Sequence, residues 1–215
     1  MDRKRIDSMR VHYATELFDF EHCQHDPIHQ FQHWFDQVLA SALIEPNAMT
    51  LATVNQNGHP SARIVLLKEF SEKGFVFFTN YASHKGDQMT ANPNVALVFG
   101  WLELFRQVRI EGVVSKISKD ESEQYFKSRP KGSQIGAWAS PQSKTIVSRE
   151  EIEENERMIT EKYASQDTLP LPPHWGGYIV DPSCIEFWQG RPNRLHDRIL
   201  YTKKDNTWNL SRLAP

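Results

Sequence analysis

The chain has 215 residues, enough for one domain with a real core. Its 25 Lys and Arg against 27 Asp and Glu leave a formal charge of -2, which gives no general attraction to nucleic acid or to an anionic membrane, so any anion site must be local. Two isolated cysteines, Cys23 and Cys184, make no disulfide framework, the charged N-terminus lacks an apolar signal region, and no stretch approaches the roughly 18 apolar residues of a membrane span; the expectation is a cytoplasmic protein.

Residues 1–25 are polar and aperiodic and read as an N-terminal arm or lid, with Arg10 and Tyr13 standing out. Residues 26–215 read as a single domain. Asp26-Pro27 is a helix start, an N-cap acceptor followed by proline, and Ile28, Phe31, Phe35, Val38, Leu39 and Ala42 follow helical spacing up to a stop before Pro46. His25, His29 and His33 share one face of this helix, with His22 and Cys23 nearby. Imidazoles at i and i+4 can reach one ion, but no carboxylate pattern opposes them; a wet helix face accounts for the stripe, and no metal is expected.

From Met49 the period switches to two. Strands are predicted over residues 49–54 and 61–68, joined by a tight Asn57-Gly58 turn, and over 75–79 after a Ser-Glu-Lys-Gly turn. A short helix over 83–91, strands over 95–101 and 106–117, and two helices follow. Those helices open at Ser118 and Ser148, each with Glu three residues later as a capping box. Leu169-Pro-Leu-Pro-Pro173 is a stiff connector into final strands around Tyr178, Glu186, Leu195 and Trp208. This order predicts a mainly β protein, an antiparallel β-barrel with peripheral α-helices, although order alone does not separate a barrel from a sandwich. The absence of a glycine-rich phosphate loop argues against a Rossmann fold.

The stretch Ile185-Glu-Phe-Trp-Gln-Gly-Arg-Pro-Asn-Arg-Leu-His-Asp-Arg198 concentrates chemistry. If a strand begins at Arg194, alternation sends Arg194, His196 and Arg198 to one face and Leu195 and Ile199 to the other. Two guanidinium groups and an imidazole on one face call for an anion or for solvent, and Trp188 offers a surface on which a planar ring can stack. A solvated strand face above a core tryptophan is the plainer alternative.

This stretch resembles the C-terminal signature of the pyridoxamine 5′-phosphate oxidase family. Arg63-Ile-Val-Leu-Leu-Lys68, Phe77-Phe-Thr-Asn80, Arg106-Gln-Val108, Tyr125-Phe-Lys-Ser-Arg-Pro130, Ser133-Gln-Ile-Gly-Ala-Trp138 and Trp175-Gly-Gly177 resemble that family in the same order, over about Pro46 to Pro215. Six ordered motifs are far more specific than any one short pattern. The resemblance implies a split β-barrel that binds flavin mononucleotide, commonly as a homodimer with flavins at the subunit interface.

It further implies that Arg63 and Lys85 hold the flavin phosphate with Phe78 and Thr79, and that Gln107, Gln142, Ser143, Trp188 and Arg198 contact the flavin. His84 stands where the family commonly has arginine, so a permanent charge is exchanged for a partial and pH-dependent one. A substrate phosphate falls to Lys68, which adjoins both sites, and to Tyr125, Arg129 and Ser133. Tyr125 and Arg129 are expected on one helix face with Pro130 ending the helix. Arg194 and His196 match residues over the pyridine ring, and Arg10 and Tyr13 match a lid in which Val11 replaces an expected basic residue. The implied reaction is oxidation of pyridoxamine or pyridoxine 5′-phosphate to pyridoxal 5′-phosphate by hydride transfer to the flavin. O2 is the final acceptor, giving H2O2, and His196 is the candidate proton carrier. The rivals are another split-barrel flavin reductase, which would lack the Tyr125, Arg129, Ser133 and Arg194 to His196 group, and a non-catalytic flavin or pyridoxal phosphate binder.

Overall fold

The structure, a computed structural model, describes residues 17–215. Arg10, Tyr13 and most of the expected arm lie outside the described residues. Nine strands run β1 Ala48–Val54, β2 Pro60–Leu66, β3 Glu69–Ser71, β4 Gly74–Asn80, β5 Asn94–Trp101, β6 Arg106–Lys116, β7 Trp175–Gln189, β8 Asp197–Lys204 and β9 Thr207–Arg212. Five helices are described: α1 Pro27–Leu39, α2 His84–Ala91, α3 Lys119–Ser128, α4 Lys131–Ala139 and α5 Arg149–Lys162. The strand order is β2-β1-β5-β6-β7-β4-β3, with β8 on β7 and β9 on β8. The fold is mainly β, as expected.

Two compact units divide the described chain, and β5, β6 and β7 each contribute a segment to both. The first comprises residues up to 46, Val98–Ile110 and Ser183–Pro215. Its core is aromatic because α1 presents Phe31, Trp34, Phe35 and Val38 on one buried face. Phe31 meets Phe99 edge-on at 5.0 Å, Trp34 meets Phe187 at 5.2 Å, and Phe18 from the preceding segment covers Trp34 at 4.8 Å. Asp26 caps α1 by accepting from the Ile28 and His29 amides, so the sequence reading of this start holds.

The second unit, Asn47–Leu97 with Glu111–Pro182, holds the β1-β2 and β3-β4 hairpins and α2 to α5. Alternation buries Met49, Leu51 and Thr53 of β1, whereas β4 is buried on nearly every residue. Phe126, Ile135, Tyr163, Leu169 and Trp175 form a separate cluster with Phe78 and Tyr125 packed against it. Gly86 lets α2 approach the β4 exit closely: a Cβ there would lie 2.1 Å from the Tyr81 carbonyl oxygen, so only glycine fits.

Several expectations need correction. The β1-β2 connection is a five-residue loop, in which the Asn55 side chain accepts from the Asn57 and His59 amides, and Gly58 alone takes a positive φ of 80°. Ser118 forms the full capping box with Glu121, but Ser148 makes no side-chain cap and Glu151 instead accepts from the Val147 amide at 3.1 Å. Tyr178 and Glu186 lie on one 15-residue strand. Arg129 is the C-cap of α3, with extended backbone, and does not share a helix face with Tyr125. Arg194 sits in a 3-10 turn, Pro192–Arg194, with φ of 63°, and the strand begins only at Asp197; alternation therefore does not align Arg194 and His196 with Arg198. The polar Asn193, also left-handed at φ 57°, bends the chain there.

Candidate active site

A cavity of about 700 Å³ opens in the second unit. Residues 63–68 of β2 and its exit bring Arg63 and Lys68, the end of β4 brings Phe78 and Thr79, and the first turn of α2 brings Lys85. Tyr125 comes from α3, Arg129 and Pro130 from the α3-α4 corner, Ser133 from α4, and Gln142 from the following loop. Nine of the sequence candidates thus share one hollow. Four cations line it and no carboxylate does.

Each cation is held differently. Arg63 Nη1 donates to the Leu51 carbonyl at 3.1 Å and to Thr53 Oγ1 at 2.6 Å, and Nη2 donates to Ser61 Oγ at 2.9 Å. Lys85 Nζ donates to Gln142 Oε1 at 2.9 Å and to Thr79 Oγ1 at 3.1 Å, which ties the α2 start to the β4 end and the loop after α4. Burial pulls both groups below their ordinary pKa values, and the Arg63 charge lowers Lys85 further. Arg129 lies over Trp175, 4.6 Å from the ring centre, and over Phe126 at 5.7 Å. Its Nη1 is buried with no hydrogen-bond partner among the described residues, and burial lowers its pKa too. Such a donor is costly to leave unmet, and an anion in the cavity would satisfy it. Pro130 and Ser133 also place the amide-rich first turn of α4 on the wall.

The aromatic wall is stacked. Phe78 and Tyr125 are 3.8 Å apart between ring centres and 20° from parallel, and Trp175 continues the stack 5.5 Å from Phe78. No local signal marks Trp175 as a site residue; its position as the platform under Arg129 depends on β7 register, which pairs it with Asn80.

The remaining candidates fall elsewhere. His84 is exposed at the start of α2 and lines a shallow depression with Asn57 and Asp87, apart from the cation cavity. Ser143 is exposed, with φ of 69°, and is absent from the cavity wall. Gln107, Trp188, Arg194, His196 and Arg198 belong to the first unit. There the His196 ring packs on Trp188 at 4.5 Å, and its Nδ1 accepts from the Arg191 amide at 3.1 Å, which assigns the ring proton to Nε2. Arg198 Nε donates to Glu186 Oε1 at 2.7 Å, and Arg109 Nη1 to Glu186 Oε2 at 3.0 Å; this buried carboxylate, missed from sequence, bridges two guanidinium groups and raises the Arg198 pKa.

Burial and the charges of Arg194 and Arg198 hold His196 below its usual 6.5. Because the folded value lies below the unfolded one, the unfolded chain binds more protons in that window, so this group's contribution to stability rises with pH toward 6.5. An NMR titration of the His196 ring should give a midpoint below 6.5, and Arg194→Ala should raise it; an unmoved midpoint would remove Arg194 from the ring's electrostatic surroundings.

Among the described residues no three His, Cys, Asp or Glu side chains gather as a metal site, and His22 instead bonds Asp19 at 2.6 Å. No helix among them is long and apolar enough to cross a membrane.

Comparison with known proteins gives concordant results. Residues 35–157 match the family profile described as pyridoxamine 5′-phosphate oxidase, and residues 175–215 match that of the pyridoxine 5′-phosphate oxidase C-terminal dimerisation region. A pyridoxine/pyridoxamine 5′-phosphate oxidase of Burkholderia lata is 55% identical over 210 residues, covering 96% of this chain and 97% of that protein. One from Salinibacter ruber is 52% identical over 213 residues, covering 98% and 99%. Among solved structures, PhzG from Burkholderia lata, in complex with tetrahydrophenazine-1-carboxylic acid, superposes with a TM-score of 0.87 at 26% identity, covering 94% of this chain and 99% of that one. The fold is thus that of the split-barrel oxidases, and the chain belongs to the pyridoxamine 5′-phosphate oxidase family of flavin-linked oxidoreductases.

Proposed function

We propose that the protein oxidises pyridoxamine 5′-phosphate or pyridoxine 5′-phosphate to pyridoxal 5′-phosphate, with flavin mononucleotide as cofactor and O2 as acceptor, giving H2O2. The observation that carries this reading is the unmet, buried Arg129 Nη1 in a cavity with four cations and no carboxylate. A phosphate monoester brings a charge of roughly -1.5 to -2, so four cations match two such groups and exceed what one requires. One phosphate belongs to the cofactor, beside Arg63, Lys85 and Thr79. The other belongs to the substrate, beside Lys68, Arg129, Ser133 and the Tyr125 hydroxyl. A flavin supplies the two-electron acceptor that no side chain provides. Lys68 and Arg129 fix the substrate through its phosphate, and the Phe78-Tyr125-Trp175 stack keeps water from that end. Arg194 and His196 are assigned to the pyridine ring. With Nδ1 engaged by Arg191, His196 acts as a donor from Nε2, and taking a proton at Nδ1 requires release of that amide.

We also propose a homodimer, supported by the dimerisation-region match of residues 175–215. The likeness to PhzG raises a second reading, an unphosphorylated tricyclic acid as substrate. The cation count favours the phosphorylated one, as does the 55% identity to an oxidase from the same organism as that structure. Purified protein should carry a noncovalent flavin that bleaches on anaerobic addition of pyridoxamine 5′-phosphate and recovers in air. Bleaching by tetrahydrophenazine-1-carboxylic acid alone would reverse the choice, and no bleaching by either would leave a binder.

A further inference from the structure

Gln88 lies one helical turn beyond Lys85 on α2 and is buried, with 4% of its surface exposed. Its Oε1 faces three donors: Thr53 Oγ1 at 2.5 Å, Ser61 Oγ at 2.8 Å and Arg63 Nη2 at 3.4 Å. The same two hydroxyls accept from Arg63, Thr53 from Nη1 and Ser61 from Nη2. A guanidinium group only donates, so oxygen and not the amide nitrogen of Gln88 must point at it. Each hydroxyl has one proton. Giving it to Gln88 turns the oxygen lone pairs toward Arg63, so one amide oxygen sets the polarity of both hydroxyls and, through them, the plane of the guanidinium.

We propose that Gln88 is a positioning residue for Arg63, holding its guanidinium plane fixed at the cavity wall before any ligand arrives. With the Leu51 carbonyl completing the set, four of the five N–H bonds of Arg63 are committed to protein acceptors, and among the described residues Nε alone has none, which leaves it for an anion. Arg63 therefore serves the anion as a fixed charge with one directed donor, whereas Arg129 keeps an unmet Nη1 for direct contact. Helix α2 supplies both a cation, Lys85, and the device that fixes a second one. Side-chain entropy that a mobile arginine loses on binding is thereby lost on folding instead. The inference rests on the proposed function in one respect, the identity of the anion as the flavin phosphate.

Two readouts separate these claims. In the flavin-free protein, NMR of the Arg63 side chain should show separate, slowly exchanging Nη signals. Gln88→Met, close in volume but with no acceptor, should average them, as should Thr53→Val if the longer substitution disturbs folding. Unchanged Nη signals in both folded variants overturn the positioning role. Second, Kd is measured for flavin mononucleotide and for riboflavin, which lacks the phosphate. Gln88→Met should weaken the former about tenfold and leave the latter unchanged. Equal weakening of both would mark a purely structural residue and overturn the proposal. If the wild-type protein shows no preference for the phosphorylated flavin, the anion assignment fails, while the Nη signals still judge Gln88.

Discussion

Arg129→Ala should raise KM for pyridoxamine 5′-phosphate roughly ten- to hundredfold, with kcat changed much less, and should erase most of the preference over unphosphorylated pyridoxamine. A charge-assisted contact typically contributes about 1.5 to 3 kcal/mol, and this one is aimed at a group remote from the reacting carbon, so its loss falls on binding. The structure adds a reason for the upper end of that range. Arg129 is held against the Trp175 ring, and its buried Nη1 has no partner among the described residues, so a phosphate oxygen that meets it removes a desolvation cost. Arg129→Lys should recover little, because an ammonium group neither stacks on the indole nor presents a planar fork. Steady-state kinetics with the two substrates check this; equal losses for both would detach Arg129 from the phosphate.

Phe126→Ala should be the most destabilising single change near the site, by about 3 to 5 kcal/mol. The ring is fully buried, meets Trp175 edge-on at 5.2 Å and sits in the cluster with Ile135, Tyr163 and Leu169. For a chain of this size, the thermal midpoint should fall by roughly 6 to 20 °C. The stacked wall rests on the same cluster, so the variant should also lose phosphate discrimination at temperatures where it remains folded. Calorimetry together with the kinetic comparison tests both halves, and a change under 1 kcal/mol would show that the cluster collapses without loss.

What the sequence made legible follows from local chemistry. Asp26-Pro27 and the Ser118 box announce themselves because a cap is written within four residues. The helix at Lys131–Ala139 was missed because Pro130 and two glycines, Gly132 and Gly136, lower its propensity; it forms because Ile135 and Ala139 are buried there. Proline is uncommon inside a strand, yet β7 runs through Pro182. Gly112 accommodates that passage, since a Cβ there would sit 2.2 Å from the Asp181 carbonyl oxygen. The Ser148 box fails although its letters are correct, because a neighbouring amide takes its glutamate.

The cavity residues could be named only through ordered motifs. Nothing local to Arg63, Lys85 or Arg129 says that a strand, a helix start and a helix corner far apart in the sequence will gather them, and Glu186 looks like any strand glutamate until register sets it beside Arg198. The placement of His84 and Ser143 off the cavity wall is likewise a matter of tertiary geometry.

Gln134 is another buried amide near this cavity, with 1% of its surface exposed. Its Nε2 donates to the Arg129 carbonyl at 2.8 Å and the Lys127 carbonyl at 3.4 Å, while its Oε1 accepts from the Leu169 amide at 2.7 Å. Donor and acceptor are both spent, on opposite sides of one side chain. Leucine would leave three backbone groups unmet, and glutamate would turn an anion toward two carbonyls. The α3-α4 corner that aims Arg129 is therefore closed to gradual repacking: its sequence can drift around position 134 but not through it, unless the residue 169 connector changes course at the same time.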